Sequence, residues 1–310
     1  MPADPSIVCF GEVLWDLLPT GPVLGGAPFN LAYRTHTLGH PTFMVSRLGR
    51  DARGVAARER VAALGLETAF LQQDSVLPTG TVSVRFDQQG NHDFTITPDV
   101  AYDHIAADPE LLTLVRNAEA LCFGTLARRG PGSRATLARM LAELHGQCAF
   151  LDLNLRKDGW TDAEIVSSIA DAGVLKLNDQ ELAVVDRIFG LGNGNIASKV
   201  ASLIRMTRLA CLIVTLGPGG AFAAKRDGTA AYEPGFEVTV VDTIGSGDAF
   251  SAGFLHQYLR GTPLAESCRY GNALGALVTG QRGGTQPLST AEIEKILLTG
   301  KRSPVDPRFD

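Results

Sequence analysis

The sequence predicts an α/β protein, a three-layer α/β/α sandwich with a mostly parallel central sheet and a small additional β-sheet. Short, continuously apolar segments alternate with segments of helical periodicity along most of the chain. Such apolar strands are typical of parallel sheets covered on both faces, and their alternation with helices is typical of three layers. Residues 81–97 break this rhythm, because they alternate apolar and polar residues on both sides of QQGN. That pattern predicts a hairpin with one apolar face, outside the main sheet.

The individual elements follow from these patterns in chain order. Apolar runs predict strands at Ile7–Leu14, Thr42–Leu48, Ala120–Gly124, Ala149–Leu153, Val174–Leu177, Leu212–Leu216 and Phe236–Val241. Helical patterns predict helices at Arg53–Leu64, Ser133–Gly146, Asp162–Ala172, Gln180–Phe189, Ile196–Thr207, Ala249–Leu259 and Leu264–Thr279. Pro28 suits the first turn of a further helix, which Gly39 ends. The final ten residues, KRSPVDPRFD, contain two prolines, and we expect them to be loosely held.

Composition and charge narrow the classes of partner. The chain has 310 residues, 45% hydrophobic and 20% charged, which suffices for one large α/β domain or two smaller ones. The net charge is −5 and no basic run occurs, so we expect no nucleic-acid partner. The uncharged run Leu209–Ala224 is too short for a membrane span and predicts a strand, a turn and a second strand. Five scattered cysteines and the absence of a signal-peptide pattern favour a cytoplasmic protein.

Residues 241–250, VDTIGSGDAF, carry the most informative motif. The preceding residues predict a strand and the following ones a helix, so the two glycines form a loop at a helix start. Main-chain amides and the partial positive charge at a helix N-terminus favour phosphate oxygens, and glycines let a ligand approach the backbone. The simpler interpretation is that Asp248 caps the helix while the glycines make the turn.

Phosphoryl transfer would give Asp248 a definite task. The acceptor hydroxyl must be directed at the γ-phosphorus and lose its proton, while hydrogen-bond donors or a metal ion hold the phosphoryl charge. A carboxylate beside a ring of amides supplies both requirements in one turn, and the helix dipole favours the ionised carboxylate. The residues alone leave the catalytic and the capping roles equally open.

The motif GGAPFN, residues 25–30, also has two interpretations. It is a tight turn entering a helix, or a place where Gly25 and Gly26 admit a ligand to the backbone while Asn30 hydrogen-bonds it. Asp16 lies shortly upstream, at the end of GEVLWD. A carboxylate and an amide on neighbouring elements suit the vicinal hydroxyls of a sugar.

The motif KLNDQEL, residues 176–182, has the spacing of a capping box. In that interpretation Asn178 caps a helix and Glu181 reaches back to the Asn178 amide. In the alternative, Glu181 acts through water on a unit of Mg²⁺ and phosphate. The local pattern favours capping. No G-x-x-x-x-G-K-[ST] motif occurs, which excludes a P-loop kinase.

In this order, GGAPFN, N-x-x-E and DTIGSGDAF resemble the motifs of the ribokinase-like, or PfkB-type, family of carbohydrate kinases. Within that family, GEVLWDLLP, GGAPFNLA and DLNLR are similar to bacterial fructokinases, and the resemblance runs from Ile7 to about Leu298. It implies a single ribokinase-like domain over residues 1–310, with a lid formed by approximately residues 12–24 and 79–98. It also implies ATP and Mg²⁺, and K⁺ as a monovalent cation that the family often uses.

The resemblance assigns a role to each matching position. It makes Asp248 the catalytic base, with an anion hole formed by Gly245, Ser246 and Gly247. It places the sugar at Asp16, Gly26, Asn30, Phe94 and Arg156. It assigns phosphate and nucleotide contacts to Asn178, Glu181, Thr215, Gly217, Gly220 and Asn272, with Glu181 reaching Mg²⁺ through water. The monovalent cation would take ligands from Asp242, Ile244 and carbonyls of residues 278–284, where QRGGTQ departs from the small residues expected.

These inferences predict an ATP-dependent sugar kinase acting on a primary hydroxyl, with conversion of D-fructose to fructose 6-phosphate as the leading reaction. The alternatives are 2-keto-3-deoxygluconate, ribose or aminoimidazole riboside as substrate, or a non-catalytic sugar or nucleotide sensor on the same fold. A nicotinamide dehydrogenase is disfavoured, because no glycine fingerprint follows the first strand. The expected partners are the sugar, ATP and a second copy of the chain, since the apolar face of the hairpin needs cover.

Overall fold

The computed structural model describes residues 4–86, 92–156 and 159–309, and of residues 84–86 and 92–94 it describes the backbone. The chain divides into two compact units. The first unit comprises Met1–Gln147 with Leu155–Trp160, and the second comprises Cys148–Asn154 with Thr161–Asp310. Among the helices described, none combines the length and the hydropathy that a bilayer-spanning segment requires.

Parallel strands form the centre of the first unit. Its strands are β1 Ile7–Phe10, β2 Leu14–Leu18, β3 Gly21–Gly25, β4 Thr42–Gly49, β5 Leu71–Asp74, β6 Gly80–Phe86, β7 His92–Ile96 and β8 Ala120–Gly124. Its helices are α1 Ala27–Thr37, α2 Ala52–Ala63, α3 Pro109–Asn117 and α4 Pro131–Ala142. Strands β8, β1, β4 and β5 lie side by side in that order, and each neighbouring pair is parallel. All four residues of β1 are fully buried, as expected for a strand covered on both faces.

A separate four-stranded sheet also belongs to the first unit. Its strand order is β3-β2-β6-β7, with β2 and β6 parallel and the two outer pairs antiparallel. Strands β6 and β7 are the predicted hairpin, and the residues between them, 87–91, lie outside the described part of the chain. The strands fall in the ranges assigned to a lid, but closure of this sheet over a ligand stays a prediction.

The second unit has parallel strands with an antiparallel edge. Its strands are β9 Cys148–Asp152, β10 Val174–Asn178, β11 Cys211–Thr215, β12 Ala221–Lys225 and β13 Ala230–Glu233, in the order β13-β12-β11-β10-β9. Its helices are α5 Asp162–Asp171, α6 Asp179–Phe189, α7 Ile196–Met206, α8 Ser246–Tyr258, α9 Leu264–Thr279 and α10 Thr290–Thr299. Pairs β9–β10 and β10–β11 are parallel, and the pairs at the β12 edge are antiparallel. The predicted fold class is confirmed: a mostly parallel sheet flanked by helices, with a small separate sheet. Whether the chain is one domain stays a prediction.

Local signals set several of these helix boundaries. Helix α1 has Gly26 as its N-cap and proline in its first turn, and it ends just before Gly39, whose φ is 92°. In helix α2 the Asp51 carboxylate accepts a hydrogen bond from the Gly54 amide at 2.7 Å, which is ordinary N-capping.

The predicted strand Phe236–Val241 is wrong. Phe236 forms an isolated bridge to Arg302, and within the described residues 237–241 no strand pairing occurs. Val238, Val240 and Val241 are 36%, 64% and 53% exposed. Apart from the buried Phe236, the apolar pattern of this segment therefore reflects neither a strand nor the core, because a strand exists only where a neighbour accepts its hydrogen bonds.

Two further expectations are corrected. Strand Ile7–Leu14 is interrupted at Gly11, whose φ of 145° turns the chain, so that β1 and β2 enter different sheets. The final residues are not loosely held within the range described: the Phe309 ring stacks on Tyr232 with ring centroids 4.5 Å apart.

Candidate active site

The glycine loop of the second unit forms the start of helix α8. Its N-cap residue is Gly245, whose φ of 78° lies in the left-handed region that favours glycine. The first intrahelical bond runs from the Ala249 amide to the Gly245 carbonyl at 2.9 Å, and the Ser246 amide donates to the Thr243 carbonyl at 3.3 Å. Amides of a first helical turn point out of the helix along its axis. The loop therefore has the form of an anion site, and its use as an anion hole stays a prediction.

Asp248 lies in the first turn of α8 and is half-buried. Because Gly245 occupies the N-cap position, Asp248 is not the N-cap residue that the simpler interpretation of the motif required. The position is the one a catalytic carboxylate next to the loop amides would need. Its role as base remains a prediction.

A buried ion pair that was not predicted from the sequence lies beside the glycine loop. Lys176 on β10 and Asp152 on β9 are direct partners in the parallel register. The Lys176 Nζ lies 3.1 Å from each carboxylate oxygen of Asp152. Ser251 on α8 donates a hydrogen bond to Asp152 Oδ2 at 2.8 Å. Strand β9, strand β10 and helix α8 are thus joined by one polar cluster inside the second unit.

The ammonium of this pair is close to the glycine loop. A Cβ placed on Gly247 would lie 3.2 Å from Lys176 Nζ. Burial by itself would lower the pKa of Lys176. Burial is the largest single influence, but the carboxylates of Asp152, Glu181 and Asp248 together outweigh it and raise that pKa. The Lys176 ammonium therefore stays protonated next to the predicted anion hole, where it is paired with Asp152. The available signal was a lone lysine in the apolar strand VLKLN, since a buried charge requires a partner.

The N-x-x-E motif forms the capping box that its spacing favours. Asn178 Oδ1 accepts from the Glu181 amide at 2.8 Å, and Glu181 Oε2 accepts from the Asn178 amide at 2.8 Å. Within the described ranges no group of three or more His, Cys, Asp or Glu side chains is arranged to hold a metal ion. Mg²⁺ carried by nucleotide phosphates takes most of its ligands from phosphate and water, so one protein carboxylate fits this use. Glu181 as that carboxylate stays a prediction.

The Asp242 carboxylate ties two segments together. Its Oδ1 accepts from the Ile244 amide at 3.0 Å, and its Oδ2 accepts from the Gly283 amide at 3.0 Å. These contacts bring the loop before α8 and the predicted 278–284 segment to one place, as a shared cation site would need. The assignment of Asp242 and Ile244 as ligands of a monovalent cation stays a prediction.

The predicted nucleotide residues lie at the end of β11 and on α9. Thr215 ends β11 and donates to the Leu177 carbonyl at 3.4 Å. Gly217 and Gly220 have positive φ, 55° and 93°, and enclose a 3₁₀ turn over Gly217–Gly219. Asn272, which is buried on α9, donates to the carbonyl of Glu233 at 2.9 Å. The contact seen for Asn272 is structural, and its place beside an adenine stays a prediction.

In the first unit, the GGAPFN turn faces Asp16. Strands β2 and β3 pair antiparallel, and a Cβ placed on Gly25 would lie 2.5 Å from Asp16 Oδ2. Only glycine at position 25 therefore leaves the Asp16 carboxylate its observed position. Asn30 follows in the first turns of α1 and is buried. The first unit thus brings the predicted sugar-binding carboxylate to the predicted turn.

Glu12, which the sequence analysis did not single out, holds the start of α1. Its Oε1 accepts from the Ala27 amide at 3.1 Å, and the side chain is buried. Gly26 has a φ of 116°, and a Cβ on it would lie 2.4 Å from the Glu12 carbonyl oxygen. This turn therefore requires glycine at position 26 for two reasons, conformation and space.

Two predicted sugar contacts are placed only in part. Arg156 is exposed, and its carbonyl accepts from the Gly159 amide at 3.0 Å, next to residues 157–158, which lie outside the described part. Phe94 pairs with Val84 in the β6–β7 register, and its side chain lies outside the described part. The roles of both residues stay predictions.

Comparison with known proteins shows what this arrangement is similar to. The model of the pfkB family carbohydrate kinases matches residues 20–291. A fructokinase from Klebsiella pneumoniae is 30% identical over 301 residues, which cover 91% of this chain and 96% of that relative.

Solved structures show the same fold. A fructokinase with bound ATP from Xylella fastidiosa has a TM-score of 0.82 at 23% identity, covering 94% of this chain and 98% of that one. A fructokinase from Vibrio cholerae, bound to fructose, ADP and a calcium ion, has a TM-score of 0.80 at 23% identity, covering 95% and 99%. Because the family model and the Klebsiella relative both span most of the chain, this protein belongs to the pfkB family of carbohydrate kinases.

Proposed function

We propose that this protein is an ATP-dependent fructokinase, which transfers the γ-phosphoryl group of ATP to a primary hydroxyl of D-fructose and releases fructose 6-phosphate and ADP. The observation that carries the proposal is the start of α8, where the first-turn carboxylate of Asp248 accompanies a glycine loop with a buried lysine beside it. The Klebsiella relative, which carries the name fructokinase, supports fructose as the sugar.

The residues of the second unit would divide the chemistry as follows. Asp248 accepts the proton of the attacking hydroxyl, and the amides of Gly245 and Gly247 hold the charge on the transferred group, joined by the Ser246 amide once it exchanges the Thr243 carbonyl for a phosphoryl oxygen. Lys176 adds a fixed positive charge beside these amides. Since proton transfer is late in a loose phosphoryl transfer, a weak base suffices.

Metal ions would assist this transfer. Glu181 would hold Mg²⁺ through water, and the ion would neutralise charge on the β- and γ-phosphate oxygens. Asp242 and Ile244 would lie beside a bound K⁺, which would support the loop rather than take part in the chemistry. The solved fructokinase from Vibrio cholerae is bound to a calcium ion together with fructose and ADP.

The first unit would select the sugar. Asp16, Gly26 and Asn30 would bind its hydroxyls, with Arg156 and Phe94 as further contacts. The Asp16 carboxylate against Gly25 is the observation that supports this assignment. A carboxylate that accepts two hydroxyl hydrogen bonds discriminates strongly against analogues that lack one of them.

The small sheet of the first unit would also join two copies of the chain. Its residues Trp15, Leu17 and Pro22 line an apolar groove together with Ala52 and Ala56 of α2. Such a face gains most from cover by a second copy. We propose a homodimer that works in the cytoplasm on small molecules, without nucleic acid or membrane. Sedimentation of the purified protein as a strict monomer would contradict the dimer.

A substrate panel tests the proposed activity. ADP release would be followed with ATP and Mg²⁺ over D-fructose, ribose, 2-keto-3-deoxygluconate and aminoimidazole riboside, with Asp248→Asn as the control for contaminating kinases. We expect the highest kcat/KM on fructose. A higher kcat/KM on another sugar would contradict fructose as the substrate, but the protein would still be a sugar kinase. If calorimetry shows that a sugar binds while no ADP is released, the protein is a non-catalytic sensor rather than a kinase.

A further inference from the structure

The final described segment, residues 301–309, is attached along the second unit, and we call it the tail segment. The Glu237 amide donates to the Lys301 carbonyl at 2.9 Å, and the Ser303 amide donates to the Gly235 carbonyl at 2.9 Å. Between them, Arg302 forms an isolated antiparallel bridge with Phe236. The tail segment therefore begins with a short antiparallel pairing to residues 235–237.

Arg302 fastens this beginning to the turn after β13. Its Nη2 lies 2.7 Å from the Glu233 carboxylate and 2.6 Å from the Pro234 carbonyl. Its guanidinium also lies over the Phe236 ring, 4.4 Å from the centroid. Asn272, a predicted nucleotide residue, donates to the same Pro234 carbonyl at 3.2 Å. The tail segment and α9 therefore both hydrogen-bond to the turn that follows β13.

The middle of the tail segment contacts the Gly217–Gly220 turn. The Asp306 amide donates to the Tyr232 hydroxyl at 2.8 Å, and that hydroxyl donates to the Gly219 carbonyl at 2.7 Å. A Cβ on Gly219 would lie 2.6 Å from Asp306 Oδ2, so the two are in direct contact. The Phe309 ring covers this relay, since it stacks on Tyr232 at 4.5 Å and on Phe222 at 5.1 Å.

Arg308 connects the tail segment to the N-x-x-E helix. Its Nη1 donates to Asp179 Oδ2 at 2.9 Å, and its Nε and Nη2 donate to the Asp306 carboxylate at 2.8 and 2.7 Å. Asp179 is the first residue of α6 and follows Asn178 directly. One guanidinium therefore links the helix start to the residue that contacts Gly219.

We infer that the tail segment positions the nucleotide site, and that Arg308 is a positioning residue for ATP. Through Arg308 and Asp306 it fixes the Gly217–Gly220 turn relative to the Asn178–Glu181 helix start. The inference rests on the proposed function and on the family resemblance, which assigns nucleotide contacts to both elements. When two binding elements are already connected by an ion pair, less conformational entropy is lost in ordering them as ATP binds.

The ion pair between Arg308 and Asp179 is exposed to solvent, and this exposure distinguishes a role in positioning ATP from a role in stabilising the fold. The side chains of Arg308 and Asp179 are 42% and 38% exposed. Ion pairs at such exposure contribute little to stability. Loss of Arg308 should therefore leave the fold intact while two ATP-binding elements lose their fixed relation.

The test compares Arg308→Ala with the matched control Arg187→Ala. Arg187 also forms an exposed bidentate ion pair, with Asp162, but it lies away from the turn and the helix start. Calorimetry would give the Kd for ATP without sugar, and steady-state assays would give KM for ATP and for fructose. We expect Arg308→Ala to raise Kd and KM for ATP about tenfold, with KM for fructose unchanged and Tm lowered by about 2 °C or less.

Two further variants complete the test. Arg308→Lys, which keeps one charge without the planar fork, should recover part of the ATP affinity. Deletion of Pro307–Asp310 should match Arg308→Ala or exceed it. Unchanged ATP affinity in Arg308→Ala and in the deletion would overturn the inference, as would an equal loss of ATP and sugar binding with a large fall in Tm. Failure of the wild-type protein to bind ATP would instead overturn the proposed function, so the two failures are distinct.

Discussion

Helices α1 and α8 begin in the same way, but the buried charged side chain closest to the glycines has the opposite sign at the two starts. Each follows a glycine N-cap in a positive-φ conformation, Gly26 at 116° and Gly245 at 78°. At α1 the buried Glu12 carboxylate accepts the Ala27 amide. At α8 a buried ammonium, that of Lys176, lies beside Gly247.

Under the proposed function, similar glycine motifs would acquire different ligands from their neighbours. A carboxylate at a helix start offsets the partial positive charge of the helix, which suits a neutral ligand such as a sugar. A lysine beside a helix start adds to that charge, which suits phosphate. The polarity of each site is decided by residues outside the motif.

The largest expected effect concerns the carboxylate of α8. Asp248→Ala should lower kcat about 10²–10⁴-fold, the range for loss of a general base, while ATP and sugar still bind. Steady-state kinetics and calorimetry on the same preparation check both parts. Turnover close to that of the wild type would refute Asp248 as the base.

The lysine beside α8 should have the next largest effect, on stability. Lys176→Met leaves Asp152 buried without its counter-ion, which should lower the free energy of unfolding by about 3–5 kcal/mol. The double variant with Asp152→Asn should recover most of it, because Asn still accepts from Ser251. A double variant that is stable but has a lowered kcat would show that the charge of Lys176 assists the reaction. A double variant with the kcat of the wild type would show that the ion pair contributes only to stability.

The pH dependence of that stability follows from the raised pKa of Lys176. A raised folded-state pKa means that the pair stabilises the protein fully below the ordinary lysine value of 10.5 and loses this contribution as pH rises through the folded value. The difference in unfolding free energy between wild type and the double variant Lys176→Met, Asp152→Asn, which has no buried carboxyl left to titrate at this position, should therefore be constant from neutral pH to about pH 9. A difference that decreases below pH 9 would contradict the charged pair.

The glycine of α1 should respond to substitution more than a glycine of similar conformation. Gly26→Ala meets the Glu12 carbonyl at 2.4 Å, whereas Gly21→Ala, at a φ of 119°, meets no atom within 4 Å. We expect Gly26→Ala to lower the free energy of unfolding by about 2 kcal/mol more than Gly21→Ala does. Both substitutions strain the backbone, but only Gly26→Ala also creates a steric clash. Urea unfolding measures the difference, and equal costs would show that the turn relaxes.

The smallest expected effect concerns the cap of α1. Glu12→Ala removes the acceptor for the Ala27 amide and should cost about 1 kcal/mol in the free energy of unfolding. Glu12→Gln keeps an acceptor oxygen and should cost less than half of that. Equal losses would mean that the charge of Glu12, rather than its hydrogen bond, stabilises the helix start.

Local chemistry made much of the fold and the site predictable. Pro28 and Gly39 bounded α1, and the Asn178–Glu181 spacing gave the capping box that the structure has. Such signals act within one turn of chain, so neighbours in space do not alter them. The run Phe236–Val241 failed because strand formation depends on a partner that the sequence does not name.

The sequence by itself determined the alternation of strands and helices, the glycine loop with its carboxylate and the turn that faces Asp16, since each depends on residues a few positions apart. Only the tertiary structure decided that Lys176 meets Asp152, because parallel strands pair residues 24 positions apart. It alone also decided that Arg308 reaches Asp179, across 129 positions. Charges that meet over such separations are set by strand register and chain path, which no local pattern records.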